Sequence, residues 1–90
     1  MLIAQVIGTV VATRKHDQLV GSKIQVVQPL KPQTQEPLGQ ALVAVDAVGA
    51  GVGEMVIVVT GSSARKGLEK DQAPVDATIV GIIDQLDIDA

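Results

Sequence analysis

Five consecutive apolar residues, Met55-Val56-Ile57-Val58-Val59, lie between two polar loops that are punctuated by glycine. The loop before them is Val45-Asp46-Ala47-Val48-Gly49-Ala50-Gly51-Val52-Gly53-Glu54, and the loop after them is Gly61-Ser62-Ser63-Ala64-Arg65. A β-branched run without alternation predicts a strand that is buried on both faces. A chain of 90 residues has little else with which to cover the outer face. We therefore expect further copies of the same protein to cover it.

The other apolar segments predict four more strands, which makes five in all. With the run above extended to Thr60, the expected ranges are Leu2 to Thr13, Lys23 to Gln28, Ala41 to Val45, Met55 to Thr60 and Ala77 to Ile83. Gly8 predicts a bend or a bulge in the first strand. Three prolines and a glycine between Pro29 and Gly39 predict a mobile loop without a regular ladder. A short helix is expected from Ala64 to about Lys70, capped by Ser62 or Ser63.

These elements predict one mainly β domain that spans residues 1–90, with a short carboxy-terminal tail at 84–90. The expected architecture is a small five-stranded antiparallel barrel with one short helix, partly open like an OB-fold. The side chains of such a barrel fill its interior, so it has no lumen.

Composition excludes several classes of function. The chain has no cysteine, and its one histidine, His16, lies beside Asp17 in a polar segment that predicts a solvated turn rather than a metal site. Aromatic residues are absent and the net charge is −3, which disfavours nucleic-acid binding. No segment approaches the ~20 apolar residues of a membrane span, and we expect a cytosolic protein without a cofactor.

The glycine loops do not match known phosphate-binding or catalytic motifs. Gly49, Gly51 and Gly53 have the spacing G-x-G-x-G and precede a strand, whereas a dinucleotide fingerprint needs G-x-G-x-x-G before a helix. They predict a tight turn in which glycines take positive φ. A nucleophilic serine at Ser62 or Ser63 would need a base, and the one histidine is distant in sequence. The sequence therefore predicts no enzyme.

The expected contact between copies involves the outer faces of the fourth and fifth strands. Met55, Val58 and Ile82 are the apolar candidates for it, and Arg65 is the charged candidate. Burial of each such aliphatic side chain contributes ~1.5–3 kcal/mol, so several per contact favour self-association.

The order and spacing of five sequence blocks resemble one protein family. The blocks are Gly8 to Thr13, Leu19 to Ile24, Val43 to Glu54, Gly61 to Arg65 and Pro74 to Asp84. Together they resemble the CcmL/EutN family, the pentameric vertex proteins of bacterial microcompartment shells. The resemblance implies a cyclic homopentamer without catalytic activity that closes a fivefold vertex of a carboxysome or metabolosome shell otherwise tiled by hexameric shell proteins. Family members commonly have Trp where this chain has Met55.

Two alternatives remain open at this point. If Gly61, Ser62, Ser63 and Ala64 converge on the fivefold axis, five helix N-termini would form a pore that favours small anions. An OB-like module that binds nucleic acid is the other alternative, which the missing aromatic residues and the negative charge disfavour.

Overall fold

The computed structural model describes residues 1–12, 15–19, 21–67 and 75–88, apart from the side chains of Gln18 and Arg65. The described residues form five strands and one short α-helix. They are β1 (Leu2–Val10), β2 (Lys23–Pro29), β3 (Leu42–Asp46), β4 (Met55–Thr60), α1 (Ser62–Gly67) and β5 (Ala77–Ile82), with a 3-10 turn at Asp17–Leu19. β1 ends at Val10 rather than at the predicted Thr13, because Val11 and Ala12 are described and lie outside the strand. The helix begins at Ser62 rather than at Ala64, so Ser62 and Ser63 belong to its first turn, and its predicted end at Lys70 lies outside the described residues.

The strands close into a barrel in the order β1-β2-β3-β5-β4, with β4 pairing back onto β1. The predicted five-stranded β-barrel with one short helix is therefore confirmed. Two features differ from the expectation: the barrel is closed rather than partly open, and β3 pairs with β5 in parallel through Val45–Thr78 and Asp46–Ile79. In the barrel β5 lies between β3 and β4, although β4 and α1 precede it in the chain.

Two register shifts bend the strands. One lies between Val6 and Gly8 where β1 pairs with β2, as the position of Gly8 predicted, and the other lies between Ile57 and Val58 where β4 pairs with β5. A bulge adds a residue to one strand and increases its local twist, which a small barrel needs in order to close.

Small aliphatic side chains fill the barrel. The buried cluster consists of Ala4, Val6, Val27, Ala44, Ala50, Val56, Val58, Ala77 and Ile79. Alanine and valine dominate because five short strands enclose too little space for aromatic rings. In the described part of the chain, no helix is long and apolar enough to cross a membrane.

The outer face of β4 is partly covered within one chain, which corrects the expectation that only other copies could cover it. Val59 packs against a second buried cluster, in which Ala64 of α1 lies against Val45 and Val75. Ile57 lies across Gly81 of β5, where an added Cβ would stand 3.3 Å from its Cδ1. The six-residue helix α1 and a glycine therefore provide cover that the sequence pattern did not reveal.

The loop between β2 and β3 lacks a regular ladder, as its prolines predicted, but it is closed by hydrogen bonds. Leu30 and Pro37 form an isolated bridge, and the N–H of Lys31 donates to the carbonyl of Glu36 at 2.8 Å. The residues from 31 to 40 are all exposed, so this loop projects from the barrel.

Gly67 allows α1 to approach the sheet closely, and we expect Gly67→Ala to destabilise the fold. A Cβ at this position would lie 2.7 Å from Cγ1 of Val80, and a β-branched side chain has little freedom to move away. Overpacking of this kind costs about 1–3 kcal/mol of unfolding free energy. Urea unfolding measures the loss, and exposed Lys66→Ala is the matched control in the same helix. Equal stability of the two variants would contradict the close approach.

Candidate functional site

The carboxylate of Asp46 holds the first part of the loop that joins β3 to β4. Oδ1 of Asp46 accepts hydrogen bonds from the backbone N–H groups of Val48 and Gly49, both at 2.8 Å. Oδ2 accepts the N–H of Ala50 at 2.7 Å and Nε2 of Gln25 at 3.2 Å. An aspartate that binds the N–H groups two to four residues ahead fixes the loop as an extended Asx turn.

A buried glutamine completes this network at one end of the barrel. Gln25 is fully buried, its Nε2 also donates to the carbonyl of Ala50 at 2.7 Å, and its Oε1 accepts the hydroxyl of Thr9 at 2.8 Å. Lys23 donates to the same carbonyl of Ala50 at 3.0 Å. Among the described residues, every buried side-chain nitrogen and oxygen has a partner. The network therefore holds Ala50 in the buried cluster of the barrel. It leaves no buried polar side-chain atom of the described residues without a partner.

The three glycines of this loop do not share one conformation. Gly49 and Gly53 have φ values of 80° and 93°, which favour glycine and suit the expected tight turn. Gly51 is not among the residues with positive φ, contrary to the expectation. Its N–H donates to Oε1 of Glu54 at 2.6 Å, and an added Cβ would lie 3.2 Å from that oxygen. Gly51 is therefore explained by close approach of a side chain rather than by backbone conformation.

We expect the stability that Asp46 provides to disappear in acid. Burial raises the pKa of Asp46, but the hydrogen bonds from Val48, Gly49, Gln25 and Ala50 outweigh it, so the pKa lies below its ordinary value of 3.8. A carboxyl group whose pKa is lower in the folded chain than in the unfolded chain stabilises the fold. This stabilisation is complete at pH values above the pKa of the unfolded chain, and it is lost as the pH falls through the pKa of the folded chain.

Thermal unfolding of the wild type and of Asp46→Asn between pH 7 and pH 2 measures this effect. The wild type should be more stable at neutral pH, because the side-chain amide of the variant has one accepting oxygen where the carboxylate has two. The difference should shrink below about pH 4 as Asp46 becomes protonated. A difference that stays constant down to pH 2 would contradict the role of the carboxylate.

The residues predicted to join copies occupy different environments. Ile82 is 36% exposed at the end of β5, and Met55 is half-buried at the start of β4, where its carbonyl accepts the N–H of Ile83 at 2.8 Å. Val58 is fully buried in the core of its own barrel. This position contradicts an outward-facing Val58, because a side chain without exposed surface cannot contact another copy. The side chain of Arg65 lies outside the description.

The predicted axis loop is partly packed into its own chain. Gly61 has a φ of 67° and donates its N–H to the carbonyl of Asp76 at 2.9 Å. Ser62 and Ser63 are exposed, but Ala64 is fully buried and its carbonyl accepts the hydroxyl of Thr78 at 2.6 Å. Ser62 and Ser63 can therefore reach a partner or a ligand, whereas Ala64 serves to dock the helix.

Several large aliphatic side chains remain exposed in the single chain. They occur near the end of β1, on β3, in the loop before β4, at the end of β5 and in the tail, and they are Ile7, Val11, Val43, Val48, Val52, Ile82 and Ile88. Apolar groups that are exposed together in one patch are typical of surfaces that contact other proteins, whereas single exposed ones are ordinary.

A family model described as "Ethanolamine utilisation protein EutN/carboxysome" matches residues 1–84. The chain belongs to the EutN/CcmL family. Over 87 residues it is 48% identical to the bacterial microcompartment shell vertex protein GrpN of Rhodospirillum rubrum (strain F11), covering 97% of both chains. Over 88 residues it is 47% identical to the carboxysome shell vertex protein CcmL of Synechocystis, covering 98% of this chain and 87% of that protein.

The fold comparison agrees with the EutN/CcmL assignment. A solved structure of the ethanolamine utilization protein EutN superposes with a TM-score of 0.92 at 41% identity, covering 98% of this chain and 91% of that one. The solved GrpN structure, a pentameric microcompartment shell protein, gives a TM-score of 0.87 at 45% identity and covers 98% and 99%. The predicted family is confirmed, and with it a structural role in the microcompartment shell rather than an enzymatic one.

Proposed function

We propose that five copies of this chain close into a ring that occupies one fivefold vertex of a bacterial microcompartment shell. The observation that supports this most strongly is the similarity to pentameric GrpN along 98% of the chain. In a ring of five, each copy contacts one neighbour with one patch and the other neighbour with a second, different patch. Such a head-to-tail contact forms a closed ring when the rotation between neighbouring copies adds up to a full turn.

The exposed aliphatic side chains support such a contact. Val43 on β3 is 56% exposed and Ile82 on β5 is 36% exposed, so the barrel offers apolar surface at separate places.

We place Ile82, Met55 and Arg65 at the contact between neighbours. Methionine is smaller than the tryptophan that family members commonly have, and it adapts its shape more readily.

The ring is proposed to lie among hexameric shell proteins. A flat layer of hexagons cannot close into a polyhedron, so a closed shell needs a unit of fivefold symmetry at each vertex. The hydrogen bonds of Asp46 to Val48, Gly49 and Ala50 give the chain the rigid loop that a structural unit of such a shell needs.

Co-expression with a hexameric microcompartment shell protein tests the proposed vertex role. Electron microscopy should show closed polyhedral particles when this chain is present and open sheets or tubes when it is absent. Ile82→Asp serves as the assembly-deficient control and should leave the sheets open. Particles that close equally well without this chain would contradict the vertex role.

A further inference from the structure

The barrel has a short seam where β3 meets β5. These two strands pair at Val45–Thr78 and Asp46–Ile79, and the N–H of Ala47 donates to the carbonyl of Ile79 at 3.1 Å. Each of the other junctions of the barrel extends over more residues than this one. Since backbone hydrogen bonds hold neighbouring strands together, opening at the seam costs less free energy than opening at any other junction.

The two strands diverge on one side of the seam. In the described residues, Leu42 to Ala44 pair with β2 but not with β5. An open cleft of about 550 Å³ lies there, lined in part by Asp76 and Ala77 at the start of β5. The carbonyl of Asp76 accepts the N–H of Gly61 at 2.9 Å, so the start of β5 is held by the residue that follows β4. The seam therefore gains no further pairing from the start of β3.

The helix α1 connects the two sides of this seam. Val45 of β3, Ala64 of α1 and Val75, which precedes β5, belong to one buried cluster. The carbonyl of Ala64 accepts the hydroxyl of the fully buried Thr78 at 2.6 Å. Val45 and Thr78 pair with each other across the seam. Ala64 thus shares a buried cluster with one member of this pair and a hydrogen bond with the other.

The far end of α1 also lies against β5. An added Cβ at Gly67 would stand 3.8 Å from Cγ2 of Thr78 and 2.7 Å from Cγ1 of Val80. The described helix has six residues, and isolated helices shorter than about 12 residues are marginal in water. The helix therefore stays in place through its contacts with the sheet rather than through its own hydrogen bonds.

We propose that α1 is a clasp, formed by Ala64 and Gly67 against β5, that keeps the barrel closed. While the clasp is docked, β3 and β5 stay paired. When it leaves its place, the barrel opens along the seam and the other junctions persist. The open form is a sheet in the order β3-β2-β1-β4-β5, which is the closed order cut at the seam. This opening occurs within each chain and does not depend on the proposed ring.

Hydrogen–deuterium exchange in the full-length wild-type chain tests the clasp, when NMR follows single amides at increasing low concentrations of urea. Ala64 reports on α1, Ala47 on the seam and Val6 on β1, which neighbours neither β3 nor β5 in the barrel. Relative to an unstructured chain, Ala64 and Ala47 should exchange at least tenfold faster than Val6. Their rates should hardly change with urea, because local opening exposes little surface, whereas the rate at Val6 should rise steeply.

Thr78→Val is the variant that decides whether α1 controls the seam. It removes the hydroxyl that bonds to Ala64 at nearly unchanged side-chain size, so Ala64 and Ala47 should both exchange faster by the same factor, roughly three- to tenfold. Gly67→Ala loosens the clasp from its other end and should accelerate the same two amides. Thr34→Val on the exposed loop is the matched control and should leave both amides as in the wild type.

Three results would overturn the clasp. If Ala64 accelerates in Thr78→Val while Ala47 does not, α1 moves without opening the seam. If neither amide accelerates in either variant, the contacts of α1 do not hold the seam. If Ala47 in the wild type exchanges with the same urea dependence as Val6, the seam opens only when the whole barrel unfolds. This wild-type comparison and Gly67→Ala decide the matter even if Thr78→Val does not fold.

Discussion

Val58→Asp is expected to leave no folded chain at room temperature. Val58 is fully buried at the centre of the barrel, opposite Leu2 on β1 and Ile79 on β5. Val58 belongs to a buried cluster of aliphatic side chains, so a carboxylate there would be taken out of water into an apolar interior. Such a burial costs about 3–5 kcal/mol or more, which approaches the whole stability of a small domain. Circular dichroism should show loss of the β-sheet signal.

Val52→Asp is the matched control for this variant. Val52 is 65% exposed in the loop before β4, so the same change there keeps the new charge in water and the fold intact. A folded Val58→Asp chain would mean that the side chain at 58 can reach solvent, and the described barrel interior would then be wrong.

Ile82→Asp is expected to abolish assembly while the single chain stays folded. Ile82 is 36% exposed at the end of β5, so a carboxylate fits there in the free chain. In a ring it would be buried between two copies without a partner, at a cost of about 3 kcal/mol or more per contact. Since a ring of five repeats this contact, single chains should remain at micromolar concentrations at which the wild type is fully associated.

Sedimentation velocity and circular dichroism together measure this result. Leu38→Asp provides the control, because Leu38 is 47% exposed on the loop between β2 and β3 and is not a residue of β5. The proposed contact at β5 fails if Ile82→Asp still sediments as the full ring. Loss of the β-sheet signal in this variant would instead show that Ile82 belongs to the core.

The strands and their order along the chain could be predicted because local signals are strong. β-Branched runs bounded by glycine and proline correctly predicted β4 at Met55–Thr60. They also predicted β5, with an end that is one residue beyond the observed end at Ile82. Gly8 indicated the register shift of β1. These features depend on neighbouring residues alone, so the sequence carries them directly.

The pairing of the strands and the direction of their side chains were harder to predict from the sequence. The parallel contact of β3 with β5 depends on residues distant in sequence, and no local pattern encodes it. In the run Met55 to Val59 every residue is apolar, so alternation could not show that Val58 points inward. That Val58 faces the barrel interior becomes clear only once its pairing with Leu2 on β1 and Ile79 on β5 is known.

The network around Asp46 was only partly visible in the sequence. An aspartate at a strand end followed by a glycine three residues later is typical of an Asx turn, and this signal could have identified Asp46 as the anchor of the loop. Gln25 offered no such signal, because a glutamine in an alternating strand normally points to solvent. Its burial follows from the polar groups of Asp46, Thr9 and Ala50 that surround it.

Native mass spectrometry of the purified wild-type protein tests the central claim most directly. The account predicts a species of five chains of 9.3 kDa each, about 46 kDa in all, that persists on dilution into the low micromolar range. A folded species of 9.3 kDa that remains single at high concentration would contradict it.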